Sequence, residues 1–456
     1  MSAVSRNDPF SSLDAIRSLA REKSPGIGFA EDISILKTPV QAGELTFPNR
    51  VAIQPLEAAD ADAEGAPTEY TRRRYIDYAE GGAGLIWFEA CSLDFPEARS
   101  HGSMMVISRK TLRPLKRVVD EVKERSRSCM SELGLEGRAA LVLQLSHAGR
   151  YRVEKSRRSP AIAFRFPGVD DAFGIGGDVG RVLSDAELEE LMEAFVEASS
   201  MAYEAGFDAV DVKACHGYLL NDLLSGYTRE GEYGGISFEN RARFLLDTIK
   251  VIKEETGGPV TSRLNAYDGY PPPYGFGCSG EVDEETGLTG FDPSEPTRLI
   301  RELGRLGVDF VNISLGNPYY SQYLTRPYDK MRGSRDSPIH PMKGVEKHFN
   351  IVETLKRSAP GMKFVGSGYS WLRQYGTNAA SYNVERGRVD IAGWGRLAIA
   401  APGFPRYVFE TGAIPPSKIC VACGNCTRLL RAGLRSGCVA QNPDEFNQSM
   451  KKLDGK

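Results

Sequence analysis

The chain has 456 residues, of which 41% are apolar and 26% charged, and that composition supports a sizeable buried core and excludes wholesale disorder. With 57 Lys and Arg against 60 Asp and Glu, the formal net charge is -3. Such a balance supplies no field to draw in nucleic acid or an anionic membrane.

The opening residues, MSAVSRNDPFSSL, contain no apolar stretch of the signal-peptide kind, and no long apolar run follows. A cytoplasmic protein is therefore expected, with neither membrane nor nucleic acid as a partner. Residues 1–35 are polar and mixed and read as an N-terminal extension. The next stretch, LKTPVQAGELTFPNR, alternates apolar and polar residues around Ala42 and Gly43. It predicts a β-hairpin that lids one end of the fold.

From Val51 onward, short apolar runs recur between amphipathic stretches: VAIQPL, GLIWFEA, ALVLQLSH, AVDVKAC, VTSRLN, FVNISLG, KFVGSG and DIAGWG. Continuous apolar runs of this length suit strands buried on both faces, and their alternation with helical patterns predicts a parallel sheet. One intervening stretch, DAELEELMEAFVEASSMAYEAG, has a Ser184-Asp185 start signal and a Gly206 stop signal. Eight strands predict a (β/α)8 TIM barrel over residues 36–412, with the extension before it and a C-terminal cysteine-rich segment over 413–456. A doubly wound sheet would alternate likewise, but its phosphate loop is missing. The nearest glycine run, Gly174 through Gly176 and Gly177 to Gly180, has the wrong spacing and follows no strand. PPPYGFG at 271–277 marks a loop over the barrel mouth.

Barrel active sites gather at strand C-termini, so those positions are read in order. After the fourth strand come Lys213, Cys215, His216 and Tyr218, a dense set of hydrogen-bonding groups suited to a developing oxyanion and a proton transfer. The plainer reading is a structural histidine and a core tyrosine. After the seventh and eighth strands come Gly366-Ser-Gly368-Tyr369 and Gly393-Trp-Gly395-Arg396. Glycine-exposed N–H groups before a helix, with an arginine alongside, would hold a phosphate; tight turns are the alternative.

The run HGYLLNDLLSGYTREGEYGGISFENRARFLLD, with its EYGG and SFENRARF elements, closely resembles the signature of the Old Yellow Enzyme family of FMN-dependent reductases. The likeness extends from PNRVAIQPL to GWGRLAIAAPGFP. It implies FMN at the barrel mouth, with Pro55, Leu56 and Ala90 against the isoalloxazine, Gln144 on its pyrimidine edge and Arg263 beside it. A guanidinium there favours the negative charge of the reduced flavin. Gly368, Gly395 and Arg396 match the phosphate site, with Tyr369 beside Gly368 also a candidate cofactor contact, Tyr218 the tyrosine that protonates substrate while flavin N5 delivers hydride, and His216 one of the pair gripping the substrate carbonyl.

Two positions depart from the family. The other member of the carbonyl-gripping pair is usually histidine or tyrosine and is here Lys213, while Glu57 stands beside the flavin where relatives carry threonine or cysteine. A carboxylate there opposes flavin reduction unless it is protonated or paired, and Lys213 is one conceivable partner.

Of eight cysteines, Cys91, Cys129, Cys215 and Cys278 are scattered and read as buried apolar side chains. The others, Cys420, Cys423, Cys426 and Cys438, have the CxxCxxC-then-distant-Cys spacing of a 4Fe-4S cluster, with zinc or empty thiols as alternatives. The tail resembles the iron-sulfur dienoyl-CoA reductase and trimethylamine dehydrogenase branch of the family. The expectation is an FMN-dependent enzyme that uses NAD(P)H to reduce an activated C=C bond, in an α,β-unsaturated carbonyl or thioester. Oxidative attack on an amine or methyl group, and an electron-transfer subunit without its own substrate, remain as alternatives. An electron-transfer partner protein or a second copy of the chain are the macromolecular partners left open.

Overall fold

The computed structural model describes residues 8–154, 157–176, 179–332, 334 and 336–455. Residues 1–7 of the expected extension, Gly177 of the glycine run and the final Lys456 lie outside the described residues. Each of the eight apolar runs forms a strand: β1 (Val51–Ile53), β2 (Leu85–Leu93), β3 (Ala140–Ser146), β4 (Ala209–Val212), β5 in two pieces (Val260–Thr261 and Arg263–Tyr267), β6 (Phe310–Leu315), β7 (Lys363–Gly366) and β8 (Ile391–Trp394). Neighbours pair in parallel around the ring, and β8 pairs with β1. The first piece of β5 bonds to β4 and the second to β6, so the barrel closes at Ser262.

The connecting helices follow the expected pattern. Between β3 and β4, the helix Asp185–Ala205 has a reciprocal cap in which Ser184 and Glu187 each bond the other's backbone N–H. Such a cap satisfies donors that the first turn leaves orphaned, and contributes about 1 kcal/mol. Gly206, at φ 98°, ends the helix in the left-handed conformation that glycine adopts most easily.

The hairpin also forms, with Val40–Ala42 antiparallel to Leu45–Phe47. Val40, Ala42 and Phe47 pack with Leu85, Trp87, Ala140 and Phe310 at the strand starts, in a core cluster separate from the main one. The hairpin therefore plugs the N-terminal end of the barrel. The described part of the extension is no loose arm. Ile16, Ala20, Ile27 and Phe29 join the main core, while Arg388 donates to the Gly26 carbonyl and Asn378 to that of Ala30.

Past the last barrel helix, Phe404–Thr411, the chain turns at Gly412 and runs back over the C-terminal end of the barrel. This segment carries the short helix Asn425–Arg431 and the helix Pro443–Leu453, and rests on a small core of its own made of Leu429, Phe446 and Met450. Of the scattered cysteines, Cys91, Cys129 and Cys215 are buried as expected; Cys278 is a correction. It begins a strand of the hairpin that follows the PPPYGFG loop, and is only partly covered there.

Candidate active site

A cavity of ≈ 1190 Å³, counted to its open mouth, lies at the C-terminal end of the barrel, and every expected catalytic and cofactor residue except Tyr369 lines it. That end collects them because the strands and the loops that follow them each contribute side chains to it. The β1 end gives Pro55, Leu56 and Glu57, β2 gives Ala90, β3 gives Gln144, and the β5 start gives Arg263. Tyr369 is a correction. Its ring packs between Phe349 and Trp394, and its hydroxyl accepts from Asn383 at 3.3 Å. Its ring is accommodated beneath the paired glycine turns and outside the cavity.

Buried polar groups fix this wall. Asp211 on β4 accepts from Trp87 Nε1 at 2.9 Å, from Gln144 Nε2 at 2.6 Å and from the Arg263 backbone N–H at 2.6 Å. Burial, only partly offset by these donors, lifts the Asp211 carboxyl to about 6. The loop after β1 is held from behind by Arg74, which donates to the Leu56 carbonyl at 3.3 Å and pairs with the buried carboxylates of Asp60 and Glu89.

Glu57 has the partners that the sequence left open. Tyr218 Oη donates to Glu57 Oε1 at 2.8 Å, and Lys213 Nζ lies 3.6 Å from the same oxygen and 3.3 Å from the Tyr218 ring centroid. His101 Nε2 stands 3.5 Å from Glu57 Oε2. Burial works against the Glu57 charge, but His101, Lys213 and Tyr218 together outweigh it and bring the carboxyl down to about 2. The same burial, reinforced by the Glu57 carboxylate, pushes the Tyr218 phenol well above its usual value. Burial lowers Lys213, which the Glu57 charge partly restores.

His216 has φ 66°, in a sharp chain reversal shared with Gly217, and its Nε2 lies 2.7 Å from Ser314 Oγ. Burial, and then the charges of Arg263 and Lys213, keep its imidazole neutral by pulling it well below the usual histidine range. A Cβ on Gly217 would fall 2.3 Å from Asn317 Nδ2 and 2.4 Å from Tyr151 Oη, so only glycine fits under the tyrosine cluster.

The residues fit a flavin mononucleotide. Arg263 Nε and Arg396 Nη1 are buried without a hydrogen-bond partner, one on the barrel wall and one at the paired glycine turns, as an anionic ring edge and a phosphate require. At those turns, Gly368 has φ 100°, and a Cβ on Gly393 would strike Gln54 Nε2 at 2.1 Å. Exposed backbone N–H groups in such turns suit a phosphate.

The four tail cysteines come near one another. Cys420 interacts electrostatically with Cys426 and Cys438, and Cys438 with Cys426 and Cys423. Ala422, at φ 54°, and Gly424, at φ 79°, turn the chain between them, and the Ala422 N–H points at Cys420 Sγ at 3.4 Å. Among the described residues, no three such ligands are drawn into a closed metal-binding group. The thiols are thus a gathered donor set rather than a finished shell. Cys426 lines the active-site cavity.

Sequence reasoning missed part of the lining. Gln54 and Tyr319 sit just past β1 and β6, where the strand-end rule could have found them. Thr427, Leu430 and Arg431 arrive from a segment more than a hundred residues away from β6, and no local signal marks them.

A closed parallel barrel thus gathers paired glycine turns, buried arginines and a phenol at one mouth. The chain belongs to the NADH:flavin oxidoreductase / NADH oxidase family, whose sequence model matches residues 36–276. It is 31% identical over 239 residues to the NADPH dehydrogenase of Bacillus subtilis (strain 168), a match covering 51% of this chain and 64% of that protein. Among solved structures, it is similar to a 2-naphthoyl-CoA reductase in complex with 2-naphthoyl-CoA, with a TM-score of 0.68 and 21% identity over 90% of this chain and 57% of that one. It is also similar to histamine dehydrogenase from Rhizobium sp. 4-9, with a TM-score of 0.66 and 21% identity over 90% of this chain and 52% of that one. At such identity these structures establish the barrel fold. No helix among the described residues is long and apolar enough to cross a membrane.

Proposed function

We propose that the protein is an NAD(P)H-linked, FMN-dependent reductase of an activated C=C bond, with Tyr218 as proton donor and Lys213 and His216 as the groups that polarise the substrate carbonyl. The supporting observation is the convergence of Tyr218, Lys213 and neutral His216 on the cavity that Pro55, Ala90 and Arg263 line. When bound, FMN supplies two-electron transfer between nicotinamide and substrate. Pro55, Leu56 and Ala90 would seat its ring, Gln144 and Arg263 its polar edge, and Gly368, Gly395 and Arg396 its phosphate.

The chain's own chemistry follows from charge. As negative charge grows on a substrate carbonyl oxygen, the His216 imidazole and Lys213 ammonium stabilise it. Tyr218 then gives its proton to the α carbon of the resulting enolate. The phenolate left behind lies against Lys213, whose ammonium is already over the ring. The NADPH dehydrogenase and naphthoyl-CoA reductase relatives favour this direction.

One observation favours oxidation as a second reading: the Tyr218 hydroxyl donates to the ionised Glu57 carboxylate, so a phenol oxygen that takes a proton from a substrate can pass its own to Glu57. The likeness to histamine dehydrogenase points the same way. A third reading, an electron-transfer subunit without its own substrate, rests on the cysteines alone. For those we propose a 4Fe-4S cluster held by Cys420, Cys423, Cys426 and Cys438, with zinc as the rival; iron and zinc contents of purified protein decide between them. Under this reading, residues 36–412 form the catalytic domain and 413–456 the cluster segment.

The experiment is anaerobic. NADPH is added while flavin absorbance is followed, then an enone or an amine. Bleaching by NADPH and recovery with the enone are expected. Bleaching by the amine alone would replace the first reading with the second.

A further inference from the structure

Four arginines reach the cavity, and the flavin reading uses two of them. Arg263 faces the ring edge and Arg396 the phosphate turns, which leaves Arg326, from the loop after β6, and Arg431, from the C-terminal segment. The two converge on one point: Arg326 Nη2 and Arg431 Nη2 both donate to the Pro318 carbonyl, at 3.1 and 2.6 Å. Arg326 Nη1 also donates to Thr427 Oγ1 at 2.7 Å. Neither has a carboxylate partner among the described residues, and Arg326 Nε is buried with no acceptor at all. Next to them stands Tyr319, whose ring lies 5.0 Å from the Arg431 guanidinium and 4.5 Å from the Tyr151 ring, which in turn lies 5.0 Å from that of Tyr218.

Like charges gathered in a partly desolvated place repel one another unless an anion joins them. Guanidinium forks with free edges are suited to a carboxylate, which they grip in two places.

We propose that Arg326 and Arg431 form a carboxylate subsite at the mouth of the cavity, so that the substrate is an unsaturated carbonyl compound that also bears a carboxylate. The inference rests on the reductase reading, since the reacting carbon must lie near Tyr218 while the acid group reaches the arginines along Tyr319. The C-terminal segment then takes part in substrate choice through Arg431.

The test uses the FMN-loaded protein and two measurements. In the first, benzoate, benzamide and phenyl phosphate are titrated against the oxidised protein while flavin absorbance is followed. Benzoate is expected to bind about tenfold more tightly than benzamide, and Arg326→Gln and Arg431→Gln to remove that preference while FMN affinity is kept. Equal binding of benzoate and benzamide, or loss of FMN from both variants, would overturn the proposal. A clear preference for phenyl phosphate over benzoate would overturn the carboxylate assignment. In the second, KM is compared for 4-oxopent-2-enoate and its methyl ester. The variants should raise KM for the acid about tenfold and leave the ester unaffected; an equal rise for both sinks the subsite. If neither compound is turned over, the reductase reading fails, and the benzoate titration still decides the subsite.

Discussion

The two walls of the active-site cavity are built in opposite ways. The barrel wall stands on parallel strands whose side chains are buried on both faces, with Asp211, Gln144 and Arg74 locked into hydrogen-bond networks. The facing wall comes from a segment whose own core is Leu429, Phe446 and Met450, held to the barrel by contacts such as the Ser436 N–H on the Ala58 carbonyl at 2.7 Å. Groups that must hold position to a fraction of an ångström during a reaction belong on the first wall, and Tyr218, His216 and Arg263 are there. Groups proposed to select a ligand or hold a cluster tolerate a mount with a smaller core, and Arg431 and the four cysteines stand on the segment that has one.

The contrast can be broken most severely at Tyr218. Replacing it with Phe removes the proton donor without disturbing the wall, so enone turnover should fall by about 10² to 10⁴-fold while flavin bleaching by NADPH continues. Similar losses in both half-reactions would show that the phenol shapes the wall rather than the chemistry. Leu429→Ala attacks the softer side. About 2–5 kcal/mol should be lost, and confined to residues 413–455 in amide hydrogen exchange, with the barrel strands as protected as before. Spread of that loosening into β1 or β6 would mean that the walls are one cooperative unit.

Arg396→Ala should weaken FMN binding by about 10 to 100-fold, as expected for a charge-assisted bond to phosphate, and leave the melting temperature of the FMN-free protein nearly unchanged. The smallest effect concerns Glu57. Its carboxyl sits near 2 in the folded protein against an ordinary 4.5, so it contributes stability above pH 4.5 that is lost as the pH falls towards 2. Glu57→Gln should flatten that part of the melting profile, by about 1 °C per kcal/mol lost.

Legibility in the sequence follows the same division. All eight strands could be read because a strand buried on both faces must be apolar throughout, and the helix Asp185–Ala205 because its caps are local signals. The site at the strand ends followed from barrel geometry and the family resemblance. Tyr369 failed because a residue next to a phosphate turn can point either way, and the sequence does not say which. The Glu57–Lys213–Tyr218 cluster joins three residues from two strand ends, so both departures from the family were visible but their contact was not. The break in β5 at Ser262 left no mark, nor did the return of Arg431 to the loop after β6. Both depend on how distant segments meet.

The hairpin at the foot of the barrel has a kinetic consequence. Phe47 and its neighbours cover that end and the cavity opens at the opposite one, so on the proposed function nicotinamide and oxidant share a single mouth and take turns at it. Turnover should then proceed by alternation, the first product departing before the second reactant enters. Double-reciprocal plots at several NADPH concentrations should come out parallel, and excess NADPH should inhibit by occupying the doorway against its successor.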